Sequence, residues 1–265
     1  VDNTRSMIES EFNDVDNLKY IYEPIPGLSQ ARNTGLKHAK GKYVSYLDDD
    51  AVASPKWIRS MLETFSSVKP TPGCIGGKID LIWETARPAW ISDKMTRPLG
   101  YVYWSDQPII LNDKQWIGGG NIAFPKEVLE SLGGFTTNLG RKGNKLLANE
   151  EIILINKLKA DGYICYYHPD VMIYHYVSPD RVNKRWFYKR YYWQGVSNAV
   201  MLDNEKRLSI SARYAIILKN ILGIMIKPIY LLLALFTVNN PNNFEKRCSV
   251  ISRVGYIAGL LKISG

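Results

Sequence analysis

Cysteine is scarce and scattered in this chain. Cys74, Cys165 and Cys248 are few, odd in number and far apart, which excludes a disulfide framework and a Cys-rich zinc site and points to a reducing compartment. Long apolar runs are missing too. The longest uncharged one, Ile229 to Val238, is too short to span a bilayer. Acidic residues are depleted at one end: residues 181 to 265 hold 14 Lys and Arg against 3 Asp and Glu, whereas residues 1 to 180 hold 20 against 22. The net charge of +9 therefore belongs to the C-terminal third. Such a tail can meet nucleic acid, an anionic membrane or a phosphorylated ligand, and the residues between the charges decide which. No cleavable leader is recognisable, and Val1-Asp2-Asn3 reads as the end of a strand, so further residues are expected upstream.

What is present excludes disorder. A hydrophobic share of 46%, with 7 Trp and 17 Tyr, is enough for one large domain with its own core, or a domain plus an appendage. The chemically loudest stretch is Tyr43 to Asp50, which alternates like a buried strand and runs into three adjacent carboxylates. Carboxylates that close repel unless a cation neutralises them, and a divalent metal with hard oxygen ligands does so economically. Ligands bind open α/β sheets outside the carboxyl ends of their strands. The competing reading is an acidic turn with Asp capping the helix that Pro55 opens.

Around that stretch the elements follow from pattern. Leu18 to Tyr22 is predicted as a strand, Ser29 to Lys40 as a helix and Tyr43 onward as a strand, making a parallel crossover unit. Leu28, Ala31, Leu36 and Ala39 fall in one helical arc, and Arg32 falls inside it, so its guanidinium needs an anion: the Asp48 to Asp50 cluster or a bound phosphate. A helix is expected from Pro55 to Val68 and a strand over Cys74 to Ile79. Residues 83 to 115 form a long aromatic loop with Trp83, Trp90 and Trp104, either a wall of a substrate cleft or a cover for a sheet edge. Trp116 to Phe124 is a strand entered through three glycines, which admit a ligand or another backbone. A short helix at 125 to 133 and a basic loop at Gly140 to Lys145 follow. Asn149 is then a plausible N-cap for a helix carrying Glu150 and Glu151 in its first turn; the pair serves as dipole partners, or one is a general base.

Two short strands are predicted around Pro169, the second bearing His175, a packed core residue or a third ligand beside carboxylates. The helix Val182 to Leu202 interleaves Arg185, Lys189 and Arg190 with aromatics, as suits a phosphate-bearing partner. Tyr214 to Val238 and Val250 to Leu261 have the composition of helices lying in a membrane interface, or of a helical hairpin packed on the core.

The order of these motifs carries a resemblance. Ala31-Arg32-Asn33-Thr34-Gly35, Tyr46 to Asp50, Pro55-Lys56-Trp57, Gly119-Gly120-Asn121 with Phe124, Asn149-Glu150-Glu151, and His175 before Val177 to Trp186 together resemble the family 2 glycosyltransferases of the GT-A fold, over roughly residues 1 to 200. The resemblance implies an α/β fold with a Rossmann-like, mixed, mostly parallel sheet flanked by helices. Residues 1 to 205 would be the GT-A domain, lacking its first strand and helix, and 206 to 265 a C-terminal helical membrane-associating extension. It implies a nucleotide-diphosphate sugar as donor, a saccharide or lipid-linked hydroxyl as acceptor, inversion in a single displacement, and Mg²⁺ or Mn²⁺ as cofactor. Asp48 and Asp50 resemble the DxD motif that holds the metal, with His175 as a further ligand and Asp49 between. Asp2 and Arg32 would lie at the nucleotide; Gly119, Gly120 and Asn121 would line the cleft; Arg185 and Trp186 are similar to an Arg-Trp pair of the processive members. Glu151 matches the general base, with Glu150 beside it in its place. The implied location is the cytoplasmic face of a membrane, peripheral or monotopic, held through an anionic lipid surface, with no nucleic acid partner. A catalytically inactive membrane-associated scaffold and a basic nucleic-acid-binding module are the alternatives.

Overall fold

A computed structural model describes residues 3–225 and 241–263. Asp2 and the apolar run Ile229 to Val238 lie outside the described residues. The order is α1 (Thr4–Glu11), α2 (Leu28–His38), β1 (Tyr43–Leu47), β2 (Ala51–Ala53), α3 (Trp57–Ser67), β3 (Cys74–Trp83), β4 (Ile109–Ile110), β5 (Asn121–Pro125), α4 (Lys126–Ser131), α5 (Glu150–Ala160), β6 (Cys165–Val177), α6 (Lys184–Lys206), α7 (Ile210–Met225) and α8 (Pro241–Leu260). Short 3-10 turns sit at Asp93–Leu99 and Pro179–Arg181.

One mixed sheet runs β1-β5-β3-β6-β2, with β4 pairing the first half of β6. The sheet is mixed, as expected, but not mostly parallel: among the described ladders only β3 with β6 is parallel, and β1–β5, β3–β5, β2–β6 and β4–β6 are antiparallel. Leu18 to Tyr22 is not a strand, because no neighbouring backbone supplies a ladder, so the expected parallel crossover into β1 is not formed. This leaves β1 on the sheet edge, half-covered, with only Val44 of its five residues buried. The two strands expected around Pro169 are a single β6, whose register against β3 shifts between Gly77 and Ile79. Pro169 sits in that shift and has no N–H to give a ladder.

The sheet core gathers Ile75, Ile122, Phe124, Tyr167 and Ile173 under α3 and α5, which contribute Trp57, Met61, Phe65, Leu154 and Leu158. In α2 the buried stripe is Ser29, Arg32 and Leu36; Ala31 is exposed. A second cluster joins the long loop to the C-terminal helices: Ile91, Met95 and Leu99 meet Val177, Phe187, Phe244 and Cys248. Trp90 packs edge-on to Phe187 and Phe244 there, at 5.3 and 4.9 Å between ring centroids. The aromatic positions of α6 are thus largely core: Phe187 and Trp193 are buried.

Helix α8 lies along α6 at backbone contact. A Cβ on Gly195 of α6 would strike the Ser252 carbonyl oxygen, and one on Gly255 of α8 would strike that of Tyr192. The stretch expected from Val250 to Leu261 to lie in a membrane interface therefore packs on the core, with Ala258 and Leu260 buried. By contrast α7 keeps Ile210, Tyr214, Leu218, Leu222 and Met225 exposed. Successive positions at 100° place all five within one arc of α7. No helix among the described residues is long and apolar enough to cross a membrane.

Candidate active site

A cleft of about 620 Å³, within the usual range for small-molecule sites, opens where α2, the β1–β2 turn, the 94–102 loop, the glycines before β5, the start of α5 and one face of α6 converge. It brings together Arg32, Asp48, Asp49, Asp50, Gly119, Gly120, Glu150, Glu151 and His175, positions spread over almost 150 residues of sequence. The 83–115 loop supplies a wall through Lys94, Arg97 and Val102, with the Arg97 guanidinium 5.3 Å from the Trp116 ring and 5.6 Å from that of Trp104. Trp83 and Trp90 belong to the second hydrophobic cluster instead.

The acidic turn is the hub. β1 ends at Leu47, Asp48 to Asp50 make the turn, and β2 pairs with β6 so that Ala51 lies opposite His175. Asp50 Oδ1 is 3.2 Å from His175 Nε2, and Arg181 Nη2 donates to Asp50 Oδ2 at 2.7 Å. Burial works against the Asp50 carboxylate, but His175 and Arg181 together outweigh it and hold the carboxyl well below the usual range. Asp48 turns the other way: Arg32 Nη2 is 3.2 Å from its Oδ1. The same guanidinium donates through Nη1 to Glu150 Oε1 at 2.8 Å, a pair in which both side chains are almost wholly buried. Arg32 finds its anions within the protein, one of them unforeseen. Asp49, between, is exposed at the rim.

The glycines hold their places by close approach. A Cβ on Gly119 would sit 2.8 Å from Arg32 Nη1, and one on Gly120 would collide with the Asp48 carboxylate. Asn121 is not in the cleft: it is fully buried, accepting from Trp57 Nε1 at 2.8 Å and donating to the carbonyls of Lys78 and Val171. Three partners satisfy its amide, so it braces β5 against α3 and the bend of β6.

Glu150 and Glu151 open α5, but Asn149 is no side-chain cap. It adopts a left-handed conformation (φ 76°), and its amide donates to Asn198 and accepts from Gln194, pinning the start of α5 to α6. Glu150 is committed to Arg32. Glu151 keeps partial contact with the cleft, yet the surrounding protein and then the neighbouring Glu150 push its carboxyl up to about 8.

The sequence reading named Arg190 only among the basic residues of its helix and did not single out Arg141 or Arg181. Arg141, Arg181 and Arg190 reach the cleft from the basic loop, the turn after β6 and α6. It chose Arg185 and Trp186 instead, which do not line it: Arg185 is exposed, and Trp186 packs on Phe187 at 5.2 Å. Arg190 follows Arg185 by five positions, about 140° round the helix, and the cleft-facing set is Arg190, Tyr191 and Gln194. The only signal for this in the sequence was helical phase, masked by basic residues on every side of α6.

The fold and cleft define a class before any particular relative. Residues 1–118 match the model of Glycosyl transferase family 2. A glucosyl-dolichyl phosphate glucuronosyltransferase of Haloferax volcanii is 27% identical over 206 residues, covering 73% of this chain and 62% of that protein. The chain thus spans under two thirds of the length of that curated relative. Among solved structures, the mannosyltransferase PcManGT from Pyrobaculum calidifontis, in complex with GDP-Man and Mn²⁺, superposes with a TM-score of 0.57 at 18% identity, covering 99% of this chain and 74% of that one. Over residues 1–118 the chain is therefore similar to glycosyl transferase family 2, and it has the GT-A fold.

Proposed function

We propose that this chain transfers a sugar from a nucleotide-diphosphate sugar to a hydroxyl of a saccharide or lipid-linked acceptor, inverting the anomeric centre, with Glu151 as general base. The observation that carries the reading is the Glu151 carboxyl, raised to about 8 beside Glu150 in the cleft that also holds Asp48, Asp50 and His175. A base with affinity for protons near the working pH is suited to take one from a hydroxyl and hold it. Glu150 is the poorer candidate, being fastened to Arg32, and its part is to raise its neighbour.

The residues present suit a divalent cation, Mg²⁺ or Mn²⁺. Among the described residues no three His, Cys, Asp or Glu side chains are gathered as a ready ligand cluster. Asp50 and His175 nevertheless present an oxygen and a nitrogen 3.2 Å apart, and both are met by the Arg181 guanidinium, a cation standing where a cation is wanted. Asp50 and His175 would hold the ion, joined by Asp48 once it leaves Arg32; when bound, the metal supplies charge stabilisation to the departing diphosphate. The chain's own contribution is to orient. The glycine strip leaves room for the Asp48 carboxylate, Arg32 holds it until the ion is bound, and Arg181, once released from Asp50, would offer the leaving group a second positive charge. The mannosyltransferase of the same fold, solved with GDP-Man and Mn²⁺, supports a divalent metal cofactor.

In the same reading residues 1 to 205 are the transferase domain, and residues 206 to 265 meet an anionic membrane on its cytoplasmic face through the exposed apolar face of α7. Radiolabelled sugar transfer and donor binding by Glu151→Gln test the base. Unchanged donor affinity with transfer reduced at least a hundredfold is expected, and full-rate transfer would remove Glu151 from the mechanism.

A further inference from the structure

Two adjacent glutamates do different work at the start of α5, and nothing in their own chemistry separates them. Successive helical residues point about 100° apart, so the rotation of the first turn decides which of the two meets Arg32 and which opens on the cleft. Glu150 takes Arg32 at 2.8 Å and is almost wholly buried; Glu151 lines the cleft. The body of α5 is fixed by Leu154 and Leu158 in the sheet core. Its first turn needs a hold of its own, because the chain enters it from residues 146 to 149, which belong to no strand or helix.

That hold comes from α6. The Asn149 carbonyl accepts the first bond of the helix, from the Ile153 N–H at 3.1 Å, but its backbone is left-handed and its side chain caps nothing in α5. A residue with a side chain persists in that conformation where its surroundings over-determine it. Here three amides close a triangle: Asn149 Nδ2 donates to Asn198 Oδ1 at 2.8 Å, and Gln194 Nε2 donates to Asn149 Oδ1 at 2.8 Å and to Asn198 Oδ1 at 3.0 Å. One residue earlier the Ala148 N–H donates to Ser197 Oγ at 2.9 Å, and that buried hydroxyl donates to the Trp193 carbonyl. Gln194, Ser197 and Asn198, three and four positions apart, make one polar stripe on α6 committed to the two residues before the glutamates. Later in α5 the helices meet again through Asn156 and Glu205, at 2.7 Å on the exposed surface.

We infer that Gln194 and Asn198 are positioning residues for the glutamate pair: through Asn149 they hold the left-handed turn that sends Glu150 to Arg32 and leaves Glu151 open to the cleft. They act on the reaction through Glu151, and that much rests on the function proposed above. The charged groups that bear on the Glu151 carboxyl are Glu150 beside it, Arg32 from α2 and Arg190 from α6. A first turn free to rotate changes its distance from all three and its enclosure by the protein, so the proton affinity of Glu151 reports on the triangle.

Carboxyl NMR spectra of the full chain with isotope-labelled glutamate, recorded across pH without any substrate, test this. The Glu151 signal, identified by its loss in Glu151→Gln, should titrate at about 8 in the parent. Asn149→Ala, Gln194→Leu and Asn198→Ala should each bring its midpoint below about 7, as the carboxyl leaves its enclosure and its neighbour. Asn149→Gly enters the left-handed region freely and should retain more of the elevation than Asn149→Ala. Asn156→Ala cuts the other tie between the two helices and should leave the midpoint in place, even where it lowers the melting temperature. An unmoved midpoint in the triangle variants, an equal movement in Asn156→Ala, an equal loss in Asn149→Gly and Asn149→Ala, or no glutamate titrating above about 7 in the parent would each overturn the inference. If the midpoint moves as expected while Glu151→Gln transfers sugar at full rate, the base reading fails and the positioning stands. If it stays put while Glu151→Gln abolishes transfer, the base stands and the positioning fails.

Discussion

At the scale of single residues, the cleft is governed by which carboxylate each arginine has claimed. Arg32 and Glu150 form an ion pair sealed from solvent, and breaking one side strands the other charge in the interior. Arg32→Ala is therefore expected to cost about 3–5 kcal/mol. The Arg32→Ala/Glu150→Ala double variant should cost less than the sum of the two single changes, as read by denaturant unfolding. Additive costs would mean that the pair is not coupled. Glu151 gives a pH prediction whose sign follows from its role. Only the ionised form accepts a proton, and its carboxyl is raised to about 8, so kcat/KM should climb with pH through a limb near 8 and level off above it. A profile flat from pH 6 to 9 would contradict that assignment. Much of this was legible in the residues themselves, because Asp48, Asp50, Glu151 and His175 are chemically conspicuous. Asn121 was not: an amide beside three glycines reads equally as ligand or strut, and only its three buried partners decide for strut.

Elements show where pattern succeeds and where it fails. Helices α2, α3, α5 and α6 begin and end within a few residues of their expected positions, because Gly, Pro and the 3.6-residue period act locally. Strands depend on partners. Leu18 to Tyr22 has strand composition and no ladder, while Tyr163 to Tyr176 looks interrupted by Pro169 and is carried across the gap by β3. The packing of α8 on α6 was likewise out of reach of composition, since Gly195 and Gly255 acquire meaning only when the helices meet. Gly255→Ala supplies the check. Its gain in helix propensity is about 1 kcal/mol, but the new methyl group is driven into the Tyr192 carbonyl. A net loss of about 1–3 kcal/mol is expected, lowering the melting temperature by roughly 2–4 °C per kcal/mol. A more stable variant would show that the two helices do not cross so closely.

For the whole molecule, the basic, apolar C-terminal third divides between two duties. α8 completes a core with Phe244 and Cys248 against Phe187 and Val177, so removing residues 208 to 265 would uncover that core along with any membrane contact. Point changes on α7 separate the two. Ile210→Ser, Leu218→Ser and Leu222→Ser together, all on its exposed face, should reduce sedimentation with phosphatidylserine vesicles at least tenfold and leave the melting temperature nearly unchanged. Undiminished sedimentation would rule out α7 as the contact. The sequence by itself determined the α/β class, the acidic turn, the paired glutamates and the charge asymmetry, because these are properties of residue type and local period. The tertiary structure alone decided which carboxylate is bound to which arginine, that Arg141, Arg181 and Arg190 reach the cleft, and that α8 is core. Those outcomes depend on distances between residues far apart in the chain, and on burial, which gives each such pairing its energy.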